Sequence, residues 1–218
     1  MGTSIKRSVM IRVICALIAV LLFSIVTTAN ILRIESAQKN NVQATSMLFQ
    51  VQQAETAHYK WSANLSNALY TGSEFTGSMD HTGCVLGKWL YSEMALHDAE
   101  VEALRSQIEP LHKELHASAQ TALDLLMENR VKGQQYYVET IQVSLTKLVG
   151  LLDQVVERGQ SLTTEYTTSM NNTIVLMHGS TIVCLVLNLI ALISLVIYVL
   201  KYVIKPLLLV TASVQPLQ

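Results

Sequence analysis

The chemistry on offer in this sequence rests on three histidines and a cysteine: His58, Cys84, His112 and His116. His112 and His116 are four residues apart, so on a helix both rings lie on one face, one turn above the other. His58 and Cys84 lie well upstream and have to be delivered by the fold. Three neutral imidazoles and one thiolate are the donor set of a closed tetrahedral zinc site. Zinc is soft enough to accept the mixture, and four protein donors leave no open position for a reactive water. Zn2+ is therefore the expected cofactor, in a binding role. An enzyme is not expected, since the chain has no Gly-rich phosphate loop after a strand, no nucleophile elbow and no HExxH helix. Glu109 and Glu114 near the His pair would suit a hydrolase only if the fourth ligand were missing.

Taken singly, each residue has a plainer reading. His58 suits a hydrogen-bonded core histidine, Cys84 a small buried hydrophobe, and the His pair chance. His81, three residues before Cys84, is expected to be a solvated loop residue, with swapping in as a ligand or a place beside the ligands as the alternatives. His97 is expected on an exposed helix and His178 at a membrane edge. Asp80 and Glu93 are candidates to orient ligand rings. Trp61 and Trp89 are expected to pack as core and shield the site.

The elements that must position these residues are helices. Ala44, Met47, Val51, Ala54, His58, Trp61, Leu65 and Ala68 recur at 3-4 spacing, so His58 occupies a core position. Gly72, Gly77, Gly83 and Gly87 predict a loop from about Thr71 to Leu90, bearing Cys84. Leu104, Ile108, Leu111, Leu115, Ala119, Ala122 and Leu126 mark the helix of the His pair. Pro110 places either its first turn or a kink near Glu109. Gly133 predicts a turn. A last helix carries Ile141, Leu145, Leu148, Leu152, Val155 and Leu162 and is free to run on into an apolar stretch. The fold class expected is all-α, an antiparallel four-helix bundle between two transmembrane helices.

Composition supports the membrane segments: 50% of the 218 residues are hydrophobic and only 14% charged. Val13–Ala29 is uncharged and close to spanning length, and Thr181–Leu200 is the stronger candidate. A cleaved signal peptide competes for the first run, with Thr27-x-Ala29 as its cleavage site. The unbroken pattern into Asn30 favours a retained anchor. Lys6, Arg7 and Arg12 precede the first run and Lys201 and Lys205 follow the second, which predicts cytoplasmic ends. The expected organisation is a cytoplasmic N-terminus at 1–12, transmembrane helices at 13–33 and 179–200, and an extracytoplasmic bundle at 34–178. That bundle holds nine basic and sixteen acidic residues, a net charge of −7, which argues against nucleic acid and suits small cations. Cys15 and Cys184 fall in the apolar runs, so Cys84 has no intrachain partner in the bundle.

The motif His58-x-x-Trp61, then Cys84-Val-Leu-Gly-Lys-Trp89, then His112-x-x-x-His116, with twenty-two residues in each gap, resembles the chemoreceptor zinc-binding domain family. That resemblance implies zinc held by the four residues in a helical bundle, often dimeric. It implies a sensor of zinc or of hypochlorous acid in a bacterial chemoreceptor or diguanylate cyclase. Many members are cytoplasmic, whereas the charge pattern here predicts a periplasmic bundle in a two-pass inner-membrane protein. Lys205-Pro206-Leu207 and the apolar residues after it resemble the start of a HAMP linker over 201–218, expected to be truncated, with a cytoplasmic output domain beyond it. The expected partners are a zinc ion, the membrane and a second copy of the chain. The alternatives are the sensor region of a membrane diguanylate cyclase or histidine kinase, or a bundle that senses a small organic ligand with no metal role.

Overall fold

The computed structural model describes residues 2–93 and 96–214, with side chains described between residues 6 and 209 of these. The elements are α1 (Gly2–Thr71), α2 (Val85–Tyr91), α3 (Ala99–Glu128), α4 (Arg130–Tyr136), a π-helical turn (Tyr137–Ile141), α5 (Gln142–Val199), a second π-helical turn (Leu200–Ile204) and α6 (Lys205–Val214). No strand occurs among the described residues, and the class is all-α. The chain forms two compact units, residues 38–167 and residues 1–37 with 168–218.

Unit 38–167 is a helical bundle. The stripe expected on α1 is its core face: Ala44, Met47, Val51, Ala54, His58, Trp61, Leu65 and Ala68 are all buried. Facing it are Leu104, Ile108, Leu115, Ala119 and Ala122 of α3 and Ile141, Leu145, Leu148, Leu152 and Val155 along α5 and its π-turn. Burying each such aliphatic side chain is worth about 1.5–3 kcal/mol, and that sum holds the helices together.

The path is up-down-up-down, but its second leg is mostly irregular chain. From Gly72, whose φ of 79° suits only glycine after a helix end, the backbone turns back along α1. Asn64 Oδ1 accepts the amides of Thr76 and Gly77 at 2.9 and 3.2 Å. Farther down, Leu96 packs with Ala44 and Leu162. The seven-residue α2 lies within the expected loop. Its C-terminal end is closed by Arg105, which donates to the carbonyls of Trp89 and Ser92 at 2.8 and 2.6 Å and to that of Leu90.

Two expected boundaries are corrected. The helix of the His pair begins at Ala99, not near Glu109. Asp98 caps it, accepting the Val101 amide at 3.1 Å. Pro110 therefore sits inside α3, where long apolar faces on either side keep the helix continuous. Gly133 is not a turn but a buried residue of α4. A Cβ there would lie 2.9 Å from the Ala122 carbonyl oxygen, so the glycine lets α4 lie against α3. The break falls at Asn129, which caps α4 through the Val131 amide.

In the other unit, the helical runs Lys6–Thr71 and Arg130–Leu209 supply stretches long and apolar enough to cross a membrane. Their side chains, Leu17, Leu21, Leu185 and Ile190 among them, are exposed. Arg12 donates to Ser194 Oγ, and its guanidinium lies 4.8 Å from the centre of the Tyr198 ring. The end of the expected linker, residues 215–218, and Met1 lie outside the described residues.

Candidate metal centre

His58 comes from the middle of α1, His112 and His116 from successive turns of α3, and Cys84 from the residue that caps α2. One ligand atom from each of the four lies within 4.8 Å of every other. The structure thus brings together all four residues singled out by type and spacing. His58 and His116 are 2% exposed and His112 is 0% exposed. Cys84 is half-buried and forms the outer side of the group.

Backbone carbonyls set the ring orientations. His58 Nδ1 donates to Ala54 O at 2.7 Å, one turn back on α1, and His116 Nδ1 donates to Ser78 O at 3.1 Å. Each ring therefore keeps its Nε2 lone pair for the interior, and both Nε2 atoms are buried without a partner. His112 Nε2 lies 3.2 Å from Cys84 Sγ, and its Nδ1 is the third buried nitrogen left without a partner. A buried polar atom without a hydrogen bond costs about 1–3 kcal/mol. Two free Nε2 atoms, a His112 nitrogen 3.2 Å from the thiol and the thiol itself fit a group that accepts lone pairs.

The electrostatics agree. Burial pushes His112 down to about 3, with His58, His116 and His81 nearby adding to the shift. Burial likewise pushes His116 down to about 4. His58 is also lowered, again mainly by burial. All three rings are neutral donors at physiological pH, as metal ligation requires. Burial raises the Cys84 thiol, while the amides of Gly87 and Leu86 pull the other way. The Gly87 amide donates to Sγ at 3.2 Å. A zinc ion, with bonds of about 2.0–2.3 Å to N and S, puts neighbouring ligand atoms roughly 3.3–3.6 Å apart. Closing the group onto the ion therefore asks for only a small contraction.

Two residues expected as core packing do more. Trp61 is buried and also donates its indole N–H to Ser78 O at 2.8 Å. The same carbonyl accepts from His116, so Trp61 holds the oxygen that orients a ligand. Gly87 admits no side chain, since a Cβ would lie 2.0 Å from His81 O. Trp89 is buried under the Arg105 guanidinium.

The residues considered as orienting groups make no hydrogen bond to the histidine rings among the described residues, although Asp80 is near enough to act on His116 and Cys84 through its charge. Asp80 is exposed and spends its Oδ1 on the Thr82 amide and hydroxyl at 2.8 and 2.7 Å. Glu93 lines a surface groove with Trp89 and Arg105. Carbonyl oxygens do the orienting, and composition cannot single these out because every residue has one. His97 is exposed, as expected, but it lies just before the Asp98 cap of α3 and not on a helix. His81 is not a freely solvated loop residue: it is half-buried, with its ring centre 6.2 Å from that of His112.

Helical bundle, buried neutral imidazoles and a nearby thiol together define the class: an all-α domain with a three-His, one-Cys group that could hold a metal ion. Residues 58–123 match the profile of the family described as chemoreceptor zinc-binding domain, and all four ligands fall inside the matched segment. No curated protein and no solved structure matches the chain.

Proposed function

We propose that this chain is the membrane-anchored sensory region of a bacterial chemoreceptor-like transducer, with one zinc ion per chain held by His58, Cys84, His112 and His116. The observation that carries the reading is the convergence of four neutral or thiol donors, three of them with a buried, unpartnered nitrogen, from three separate elements. Bound zinc ties the Cys84 turn to α1 and α3, so its gain or loss changes how α2 is held. The core residues of α5 and the second apolar stretch belong to one helix, which supports a path from bundle packing to the second span and a HAMP-like linker.

The basic residues outside both apolar runs support cytoplasmic ends and a periplasmic bundle at 34–178. Domains of this family are normally cytoplasmic, so sidedness is the sharpest point to test. In spheroplasts, a membrane-impermeant maleimide labels a Ser73→Cys variant if the bundle faces outward. Labelling only after lysis overturns that placement. For the metal, elemental analysis of the full chain in detergent is expected to find one zinc per chain, lost in Cys84→Ser and His112→Ala. A wild-type chain without zinc, with thermal stability indifferent to chelator, overturns the zinc reading.

A second reading adds redox input, and the observation favouring it is that Cys84 is the least buried ligand. Hypochlorous acid converts a thiolate to a sulfenic acid with release of chloride, which removes a zinc ligand. Mass spectrometry after mild oxidant decides it: an unmodified Cys84 with zinc retained rules it out. The output class, whether chemotaxis, cyclic-dinucleotide synthesis or histidine phosphorylation, follows from whatever domain the linker drives.

A further inference from the structure

Three of the four ligands are closed off from solvent, at 2% exposure or less. An ion therefore has to arrive on the side of half-buried Cys84, over the turn from Asp80 to Cys84. His81 stands on that turn. Its ring meets His112 edge-on at 6.2 Å and, on its outer side, the ring of Tyr91, also at 6.2 Å. Tyr91 is 48% exposed and marks the solvent edge. The His81 carbonyl accepts the Cys84 thiol at 3.5 Å, so this residue and the outer ligand are held as one turn. Among the described residues, nothing hydrogen-bonds the His81 ring nitrogens. His81 is not one of the four residues whose ligand atoms lie within 4.8 Å of one another, so it is no resident ligand in this arrangement.

We propose that His81 is the transfer ligand through which zinc enters and leaves the buried site. The inference rests on the four residues being zinc ligands. A hydrated ion would carry waters that the closed site excludes. His81 would offer a ring lone pair at the rim in place of one of those waters. His112, Cys84, His58 and His116 would then take the place of His81 and the remaining waters, with the Cys84 proton passing to solvent as the sulfur bonds. No electrons change hands, and the bond made to His81 is broken again. Release runs through the same exchanges in reverse. A ligand used in passing lowers the barrier in both directions and leaves the equilibrium alone.

The test uses the full chain in detergent micelles with zinc alone, followed by stopped-flow uptake and by release to excess chelator. In His81→Ala the uptake and release rates fall severalfold and by the same factor, while the equilibrium dissociation constant is unchanged. His81→Asn, which keeps a polar side chain on the turn, shows the same loss of rate, and His97→Ala shows none. Unchanged rates in His81→Ala overturn the proposal. So does a weakened equilibrium constant with uptake intact, which makes His81 a resident or structural residue. A wild-type chain that binds no zinc overturns the zinc reading instead, and the two failures are thereby distinct.

Discussion

Each ligand residue does two jobs, and the second is visible only through its neighbours. His58 fills a core position on α1 and is tautomer-fixed by the carbonyl of Ala54. His116 does the same on α3 through Ser78 O, an oxygen held in turn by the Trp61 indole. Replacing Trp61 by Phe keeps the packing but drops that donor. Zinc affinity in Trp61→Phe is expected to fall by about tenfold, read by competition with a chromophoric chelator, with helix content unchanged. Affinity equal to wild type would show that the carbonyl needs no such support. The four ligands were legible from type and spacing, because an i, i+4 pair and a histidine in an apolar stripe are anomalies of pattern. The orienting carbonyls were not, since they belong to the backbone of every residue.

The elements are specified locally where periodicity is strong, and through contacts where it is weak. α2 is the weak case: seven residues are too few to hold a helix in water. Its first turn is held by the Cys84 cap and by close packing on the 81–82 backbone, its last by Arg105. Gly87→Ala forces a methyl into the His81 carbonyl. Such overpacking costs about 1–3 kcal/mol, and the loss of zinc binding should exceed what the stability loss alone explains. Wild-type affinity in Gly87→Ala would mean that the turn moves freely. α3 carries two competing signals: Asp98 followed by acids at 100 and 102 is a helix start, and Pro110 is a second, weaker one inside the helix that follows. Asp98 caps α3 and also binds Arg158 of α5 at 2.7 and 3.2 Å. Asp98→Ala is expected to cost about 1–2 kcal/mol, the worth of a good cap, by denaturant unfolding, whereas Asp98→Asn keeps the cap and removes only the charge facing Arg158.

That pair also sets a pH dependence. The Arg158 side chain holds the Asp98 carboxyl below its ordinary value. The folded state thus binds the Asp98 proton less readily than the unfolded chain, so the contribution is full above the unfolded value of about 3.9 and is lost as pH falls through the lower folded one. The stability difference between wild type and Asp98→Asn therefore shrinks as pH drops from about 5 toward 2. A difference that stays constant across that window would separate the cap from the ion pair.

At the scale of the whole molecule, the outward face of α1 is a feature that the bundle core does not use. Val42, Phe49, Thr56, Ala63 and Tyr70 recur every seven residues on it, all exposed and none charged. A second copy packed on that seam would bury Phe49, now 61% exposed, in heptad register. Phe49→Glu is expected to shift the full chain in detergent from dimer toward monomer, by light scattering, with zinc content unchanged. A wild-type chain already monomeric, or a variant as dimeric as wild type, rules the seam out. The acidic bundle and basic outer flanks follow from composition alone. Which side of a membrane each faces is a question for labelling.

The sequence by itself determined the helical class and the core stripes, and it singled out the four residues that cluster. Periodicity, residue type and short spacing are local properties, and they survive without knowledge of the fold. It also carried the two apolar stretches and their flanking charges. The tertiary structure decided what no local window holds: that the chain after Gly72 turns back along α1, that Cys84 caps a helix too short to predict, and that His58 meets His112 and His116. It also decided that carbonyls rather than carboxylates orient the rings, and that His81 stands beside the site. Those facts depend on contacts between residues far apart in sequence. Close approach settles them at single atoms, such as the missing Cβ of Gly87 against the carbonyl of His81.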